Sequence, residues 1–147
     1  VMMLGYKKLM RWLSLLMATA SKDTNTFPLM HASIRRGMFL ENIGAEGHQA
    51  ETRDELFITG AFSLLDRITG APFEHLFELI SLSETIVDAI IRRTGPYAPY
   101  LTLIEAIERS DPIMIRKQAD ALALPIGACN EALLKSMASA ELLDAEI

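Results

Sequence analysis

Histidines and acidic residues are the side chains of this chain with the most obvious capacity for chemistry. The three histidines are His31, His48 and His75; none precedes an Asp, and no two lie four residues apart. A metal site needs several His, Asp, Glu or Cys donors that converge. His31 and Asp66 could meet in space, but two donors do not make a metal site. We therefore expect each histidine to be structural or exposed, and we predict no metal and no cofactor.

Paired charges and serine motifs are the next candidates for a site. Arg35–Arg36 and Arg92–Arg93 could hold an anion, and Glu105 and Glu108 lie one helical turn apart. Surface pairs are the commoner case, so we predict solvated faces at these positions. The glycines form no phosphate-binding motif, and Ser63 does not lie in a G-x-S-x-G sequence. The residues alone predict no catalytic site.

The single cysteine, Cys129, indicates packing rather than catalysis. It lies among Gly127, Ala128 and Ala132, where a small buried side chain is expected. One cysteine cannot form an internal disulfide, which fits a reducing compartment. We predict a cytoplasmic protein.

Composition and charge limit the class of protein to which the chain can belong and the partners it can bind. The chain has 147 residues, of which 50% are hydrophobic and 22% charged, as in one folded domain with one core. Residues 1–53 hold seven Lys and Arg against four acids, and residues 54–147 hold seven against fifteen. Nucleic-acid binding needs clustered positive charge, which most of the chain lacks. A small basic patch at Lys7, Lys8 and Arg11 is better explained as solvated cations, so we predict no nucleic-acid partner.

The first 20 residues predict an amphipathic helix. Their apolar run is much shorter than the roughly 20 residues that span a bilayer, so we predict no membrane contact. The chain begins at Val1 directly in helical sequence, which we interpret as a piece of a longer protein. A second copy of the chain, in a homodimer, or the last helix could cover the apolar stripe of this helix, formed by Leu9, Trp12, Leu13, Leu16 and Ala20.

The elements that must position these side chains are all predicted to be helices. The stretch Phe57–Gly70 has apolar residues at three- and four-residue steps, so we expect a central helix that Asp54 or Thr52 caps. Gly60 would let a neighbouring helix approach closely, and Gly70 would end the helix in a left-handed conformation. The inward face is predicted to consist of Ile58, Ala61, Phe62, Leu65 and Ile68.

Seven further helices complete the predicted all-α bundle of about six to eight helices. In the second helix we expect Arg35, Arg36 and Glu41 to face outward, and we expect a polar loop over residues 45–53. Asp111 is predicted to cap a helix, and Ser81 with Glu84 to form a capping box, with Ser83 as the alternative cap. The other helices are expected at about residues 3–20, 28–43, 72–79, 84–93, 100–109 and 112–123, and from residue 125 onward.

Three stretches of the chain together resemble the HDOD domain, in the version found at the C-terminus of bacterial EAL–HDOD signalling proteins. They are Leu4–Ala20, Leu29–Gly44 and Phe57–Ile91, and the likeness covers most of residues 4–108. The order and spacing of the motifs L-G-x-x-x-L-x-R-W-L, G-x-x-S-L-L-D and L-S-x-x-(I/V)-x-x-A carry it. The matching residues are Leu4, Gly5, Arg11, Trp12, Leu13, Gly60, Ser63, Leu64, Leu65, Asp66, Leu82, Ser83 and Ala89.

The resemblance implies an HD-like fold that has lost its metal site. HDOD domains are similar to HD phosphohydrolases, whose metal-binding His and Asp would align with Ser63 and Leu64. A hydroxyl and an alkyl group cannot replace these ligands, and His31 would stand nearly alone near the position of the first hydrolase ligand. The family has further helices before Leu4, so the resemblance implies a partial HDOD domain over residues 1–147, with a core at 1–109 and a helical extension at 110–147.

By resemblance, we expect a non-catalytic signal-transduction module associated with cyclic di-GMP. Its partners would be proteins, in particular an upstream EAL-type domain in the parent chain. The alternative is a divergent metal-dependent HD-type phosphohydrolase. A third interpretation is a nucleic-acid binder that uses its basic first helix.

Overall fold

The computed structural model describes residues 26–44 and 49–146, and the regular structure of this part is helical. The predicted all-α fold is confirmed. The predicted first helix, over residues 3–20, lies outside the described residues. The eight α-helices of the described part are α1 (Thr26–Ile43), α2 (Ala50–Phe62), α3 (Leu65–Thr69), α4 (Phe73–Leu79), α5 (Glu84–Val87, which continues as a π-helical turn over Asp88–Arg92), α6 (Ala98–Glu108), α7 (Pro112–Ala121) and α8 (Ile126–Glu146).

Helix α1 is the centre of the bundle, because it packs against α2 on one side and α8 on another and also touches α3 and α6. Helix α6 in turn packs against α7 and the π-helical turn. The core combines large apolar side chains from α1, α2, α3 and α6 with small ones from α8. Its most deeply buried members include Phe39, Leu40, Leu56, Phe57, Phe62, Leu65, Leu101, Leu103 and Ile104.

Two glycines let the backbones of α1 and α2 approach each other. A Cβ atom at Gly60 would lie 2.6 Å from the carbonyl oxygen of Arg36 and 2.8 Å from the nitrogen of Gly37. A Cβ atom at Gly37 would lie 2.9 Å from the carbonyl oxygen of Phe57. The close approach predicted for Gly60 is confirmed.

The predicted central helix ends at Gly70 as expected, but its start is wrong and it is interrupted in the middle. It begins at Ala50 with Gln49 as its N-cap, so neither Thr52 nor Asp54 caps it, and residues 50–53 are helical rather than loop. The first turn is largely exposed and therefore carries no apolar pattern that would mark a helix. Within the predicted helix, a turn at Ser63–Leu64 separates α2 from α3, and there the Ser63 hydroxyl donates to the Gly60 carbonyl oxygen at 2.7 Å.

Other predicted helix ends match the structure more closely. Gly70 has a φ of 74° and ends α3 in the left-handed region, as predicted. Asp111 accepts a hydrogen bond from the Met114 nitrogen at 3.1 Å and so caps α7. The capping box at Ser81 is wrong: α5 begins after Ser83, whose hydroxyl donates to Glu55 instead of capping the helix.

The last helix belongs to the same packed body as α1. Cys129, Ala132 and Ser136 follow one line along α8 and are buried. The division into a core at 1–109 and an extension at 110–147 stays a prediction. Among the helices of the described ranges, none has the length and hydropathy needed to cross a membrane.

Candidate functional site

Arg36, on α1, is the centre of a buried polar network. Only 8% of the residue is exposed, so the predicted outward orientation is wrong. Its neighbours at 33 and 37 are Ser and Gly, which leave room at the crossing of α1 and α2. A long charged side chain is rarely buried without a charged partner, and here that partner comes from α6.

The guanidinium group of Arg36 forms a two-pronged ion pair with Glu108. Its Nε donates to Oε1 of Glu108 at 3.0 Å and to Oε2 at 3.1 Å, and its Nη2 donates to Oε1 at 2.6 Å. Planar pairs of this kind are among the strongest hydrogen-bonded contacts in proteins. Glu108 is exposed, as predicted, but its carboxylate also links the last turn of α6 to α1.

The same guanidinium group also reaches the turn that ends α2. Its Nη1 donates to the Ser63 hydroxyl at 3.0 Å, and Ser63 in turn donates to the Gly60 carbonyl oxygen. One turn earlier on α1, Ser33 donates to the carbonyl oxygen of Ala61. These contacts join α1, the end of α2 and α6 at one point.

A second ion pair lies next to the first. Glu105 is 4.0 Å from Nη1 of Arg36 and is also paired with Arg93. Arg93 has a φ of 56° and follows the π-helical turn. The solvated face predicted for Glu105 is wrong, because this carboxylate is half-buried and bridges α1 and the residue after the π-helical turn. Arg92, by contrast, is exposed and pairs only locally, with Asp88.

The residues considered above as metal ligands lie on α1, on α3 and in the turn before α3. Leu64 is buried beside Met30 and Ile68, in a small apolar cluster between α1 and α3. His31 and Asp66 are half-buried on these same two helices. Within residues 26–44 and 49–146, no group of three or more His, Cys, Asp or Glu side chains could hold a metal ion.

The other predicted candidates lie apart from the Arg36 network. His75 is exposed on α4, and His48 lies outside the described residues. Cys129 is buried in the core, and this burial raises the pKa of its thiol. A raised pKa leaves less thiolate at neutral pH, which fits the predicted packing role.

Glu55 forms a second polar cluster near the start of α2. The Tyr97 hydroxyl donates to Oε2 of Glu55 at 2.9 Å, and the Ser83 hydroxyl donates to the same oxygen at 3.3 Å. Burial, and then this hydrogen bond, raise the pKa of Tyr97. The cluster therefore joins α2 to the starts of α5 and α6. The raised pKa keeps the phenol of Tyr97 neutral, so this side chain is not an activated nucleophile.

The Arg36 network can position helices, because it joins α1, the turn at Ser63 and the last turn of α6. The hydrophobic periodicity of α1 could not predict that Arg36 is buried, since a charged residue in such a pattern is expected to face outward. The signal in the sequence was the line of small residues, Ser33 and Gly37 on α1 with Gly60 and Ser63 opposite, which marks a close crossing beside Arg36.

We compared the sequence of this chain with those of characterised proteins. The chain is 30% identical over 108 residues to the cyclic di-GMP phosphodiesterase CdgJ of Vibrio cholerae. It resembles a segment of that protein. The match covers 74% of this chain and 25% of CdgJ, so the chain spans about a quarter of the length of this relative. The chain matches no protein-family model and no solved structure.

Proposed function

We propose that this chain is a non-catalytic signal-transduction module that acts in cyclic di-GMP signalling through contacts with other proteins. The similarity to CdgJ supports the connection to cyclic di-GMP. The observation that carries the non-catalytic assignment is the contact of Ser63 with the guanidinium group of Arg36.

Electrostatics explains why this contact opposes metal chemistry at that point. By resemblance to HD phosphohydrolases, a metal ion would bind next to positions 63 and 64. In this chain a fixed cation, Arg36, already donates to Ser63 at 3.0 Å. A divalent ion there would lie close to a like charge, and the carboxylate of Glu108 is already engaged by that charge. Leu64 supplies no donor atom.

The partner we propose is an EAL-type phosphodiesterase domain in a longer parent chain. Two features support it: the motif order shared with EAL–HDOD proteins, and the similarity to part of a larger phosphodiesterase. In this proposal the EAL-type domain hydrolyses cyclic di-GMP, while the helical module alters its activity through a protein interface.

The catalytic alternative rests on one observation. His31 and Asp66 are half-buried on α1 and α3, two helices that touch. If these residues bound a metal ion with donors outside the described ranges, the chain would be a divergent phosphohydrolase.

Metal analysis and turnover distinguish the two functions. The purified chain is incubated with Mn²⁺ or Mg²⁺ and then assayed for bound metal and for hydrolysis of cyclic di-GMP and a generic phosphodiester. We expect neither stoichiometric metal nor turnover. Stoichiometric metal with turnover that His31→Ala abolishes would refute the non-catalytic proposal. His75→Ala is the matched control, because His75 is exposed on α4.

A second experiment tests the regulatory role directly. An EAL-type phosphodiesterase domain without its own helical module is assayed on cyclic di-GMP with increasing amounts of this chain. We expect saturable binding by calorimetry and a parallel change in the hydrolysis rate. Serum albumin at the same mass concentration controls for crowding. No binding and an unchanged rate at saturating excess would refute regulation in trans.

A further inference from the structure

The outer face of α7 combines an exposed apolar side chain with positive charge. Ile113 is 81% exposed, more than any other large hydrophobic side chain that the structure describes. Around the helix axis, Arg116 lies about 60° to one side of Ile113 and Lys117 about 40° to the other. Both cations are exposed, whereas Ile115, on the opposite side of the helix, packs against the core. Ile113, Arg116 and Lys117 therefore share one solvent-facing surface.

The cations on this face have no carboxylate bound to them in residues 26–44 and 49–146. The ion pairs of these ranges engage four other cations, which are Arg36, Arg92, Arg93 and Lys135. Arg116 and Lys117 take part in none of these pairs, and neither does Arg109, which is exposed at the end of α6. A carboxylate from another molecule can therefore bind them without displacing an existing partner.

The positive charge of α7 contrasts with that of the surrounding sequence. Residues 109–117 hold three cations and one acid, Asp111, whose carboxylate caps α7. Residues 54–147 as a whole hold seven Lys and Arg against fifteen acids. An acidic molecule is therefore attracted to α7 and repelled by the net negative charge of the rest, and this difference orients its approach.

We propose that the outer face of α7 is a docking surface for an acidic segment of a partner protein. An apolar side chain of that segment covers Ile113, and its carboxylates pair with Arg116 and Lys117. An apolar centre with a polar rim is the usual composition of protein interfaces. The inference rests on the proposed function in that the partner is a protein, and it does not require the link to cyclic di-GMP.

Two other anionic partners fit this face less well. Asp120 is exposed about 20° from Ile113 around the helix axis and would repel the phosphates of a nucleic acid. A protein segment can instead place a neutral or basic residue opposite Asp120. Helices that lie in a membrane surface bury a broad apolar face, whereas Ile113 is the one large apolar side chain that α7 exposes.

The proposal is tested by titrating the full chain with a short helical peptide in which leucines are flanked by glutamates. A peptide with lysine in place of glutamate is the charge control, and the amide shifts of the isotope-labelled chain in NMR spectra locate the bound face. The variants are Ile113→Ser and the double charge reversal Arg116→Glu with Lys117→Glu. Leu134→Ser and Lys135→Glu, at exposed positions of α8, are the matched controls. Circular dichroism verifies that each variant is folded.

We expect the acidic peptide to bind with its largest shifts in α7, and we expect added salt to weaken the binding. Ile113→Ser and the double charge reversal should each lower the affinity by about tenfold, and the α8 controls should leave it unchanged. No binding of the acidic peptide, shifts centred outside α7, or equal losses in the controls would overturn the proposal. Tighter binding of duplex DNA or of phosphatidylglycerol vesicles at α7 would overturn it too.

This titration contains no EAL-type domain and no cyclic di-GMP. Its failure would remove the α7 docking surface and leave the proposed function to the experiments above. Failure of those experiments, together with binding of the acidic peptide at α7, would instead retain the docking surface and remove the EAL-type domain as the partner.

Discussion

Gly60→Ala is the sharpest test of the packing at the centre of this molecule. The new Cβ atom would lie 2.6, 2.7 and 2.8 Å from three backbone atoms of Arg36 and Gly37. Backbone atoms cannot rotate away, so α1 and α2 must separate by several tenths of an ångström. Overpacking of this kind typically costs about 1–3 kcal/mol. Because all three contacts are with backbone atoms, we expect the upper part of this range, about 2–3 kcal/mol. Alanine recovers roughly 0.5–1 kcal/mol of helix propensity, which leaves a net loss of about 1–2.5 kcal/mol.

Gly127→Ala is the matched control for this prediction. Gly127 lies in the first turn of α8, and no atom lies within 4 Å of the position of its Cβ. The same substitution should therefore be neutral or raise the free energy of unfolding by up to about 1 kcal/mol. Urea unfolding followed by circular dichroism measures both variants. If Gly60→Ala changes the stability by less than about 0.5 kcal/mol, the size usual at surface positions, then α1 and α2 do not cross at this glycine.

Three further predictions concern single side chains, and urea unfolding tests each of them. Phe62→Ala and Leu65→Ala should each lower the free energy of unfolding by about 2–5 kcal/mol, because both side chains are buried in the core. A loss as small as that usual at surface positions would mean that these side chains lie outside the core. Glu108→Ala should lower the free energy of unfolding by about 1–3 kcal/mol, because it leaves Arg36 without its main charge partner. The double variant Arg36→Met with Glu108→Ala should recover part of that loss. If the effects of the two single substitutions simply add in the double variant, the coupling is refuted. Glu41→Gln should stabilise the protein near neutral pH, since burial and then the negative charge of Asp54 raise the pKa of Glu41 and so disfavour its ionised form. That gain should shrink as the pH falls through the raised pKa of Glu41, and it should be lost below 4.5, the ordinary value for glutamate, where the side chain is neutral in both the folded and the unfolded chain. A gain that does not depend on pH would contradict this cause.

Local signals in the sequence were sufficient for much of the fold. Asp111 followed by Pro predicts the start of α7, and Gly70 predicts the end of α3, because each needs only the chemistry of neighbouring residues. The apolar spacing around Phe62 and Leu65 correctly predicts burial. Gly60 predicts a close helix crossing, although the partner helix could not be named from the sequence.

What the sequence could not reveal depends on contacts between distant residues. Arg36 and Glu108 are separated by 72 positions, and each has the appearance of an ordinary surface charge within its own helix. Arg36 is buried where α1 and α2 approach closely, with its backbone against Gly60. The turn at Ser63 is a similar case, since its hydroxyl is shared between Gly60 and Arg36.

The Arg36 network has a clearer role in specificity than in stability. Removing two charges from water costs several kcal/mol per ion, so apolar residues in their place are often as stable or more so. A two-pronged ion pair, however, is satisfied in only one arrangement of α1, the Ser63 turn and α6. The function proposed above acts through a protein interface, which needs a single surface shape, and an ion pair satisfied in one helix arrangement favours that shape. This role predicts that the Arg36→Met and Glu108→Ala combination would keep much of its stability yet bind a partner less specifically than the parent chain.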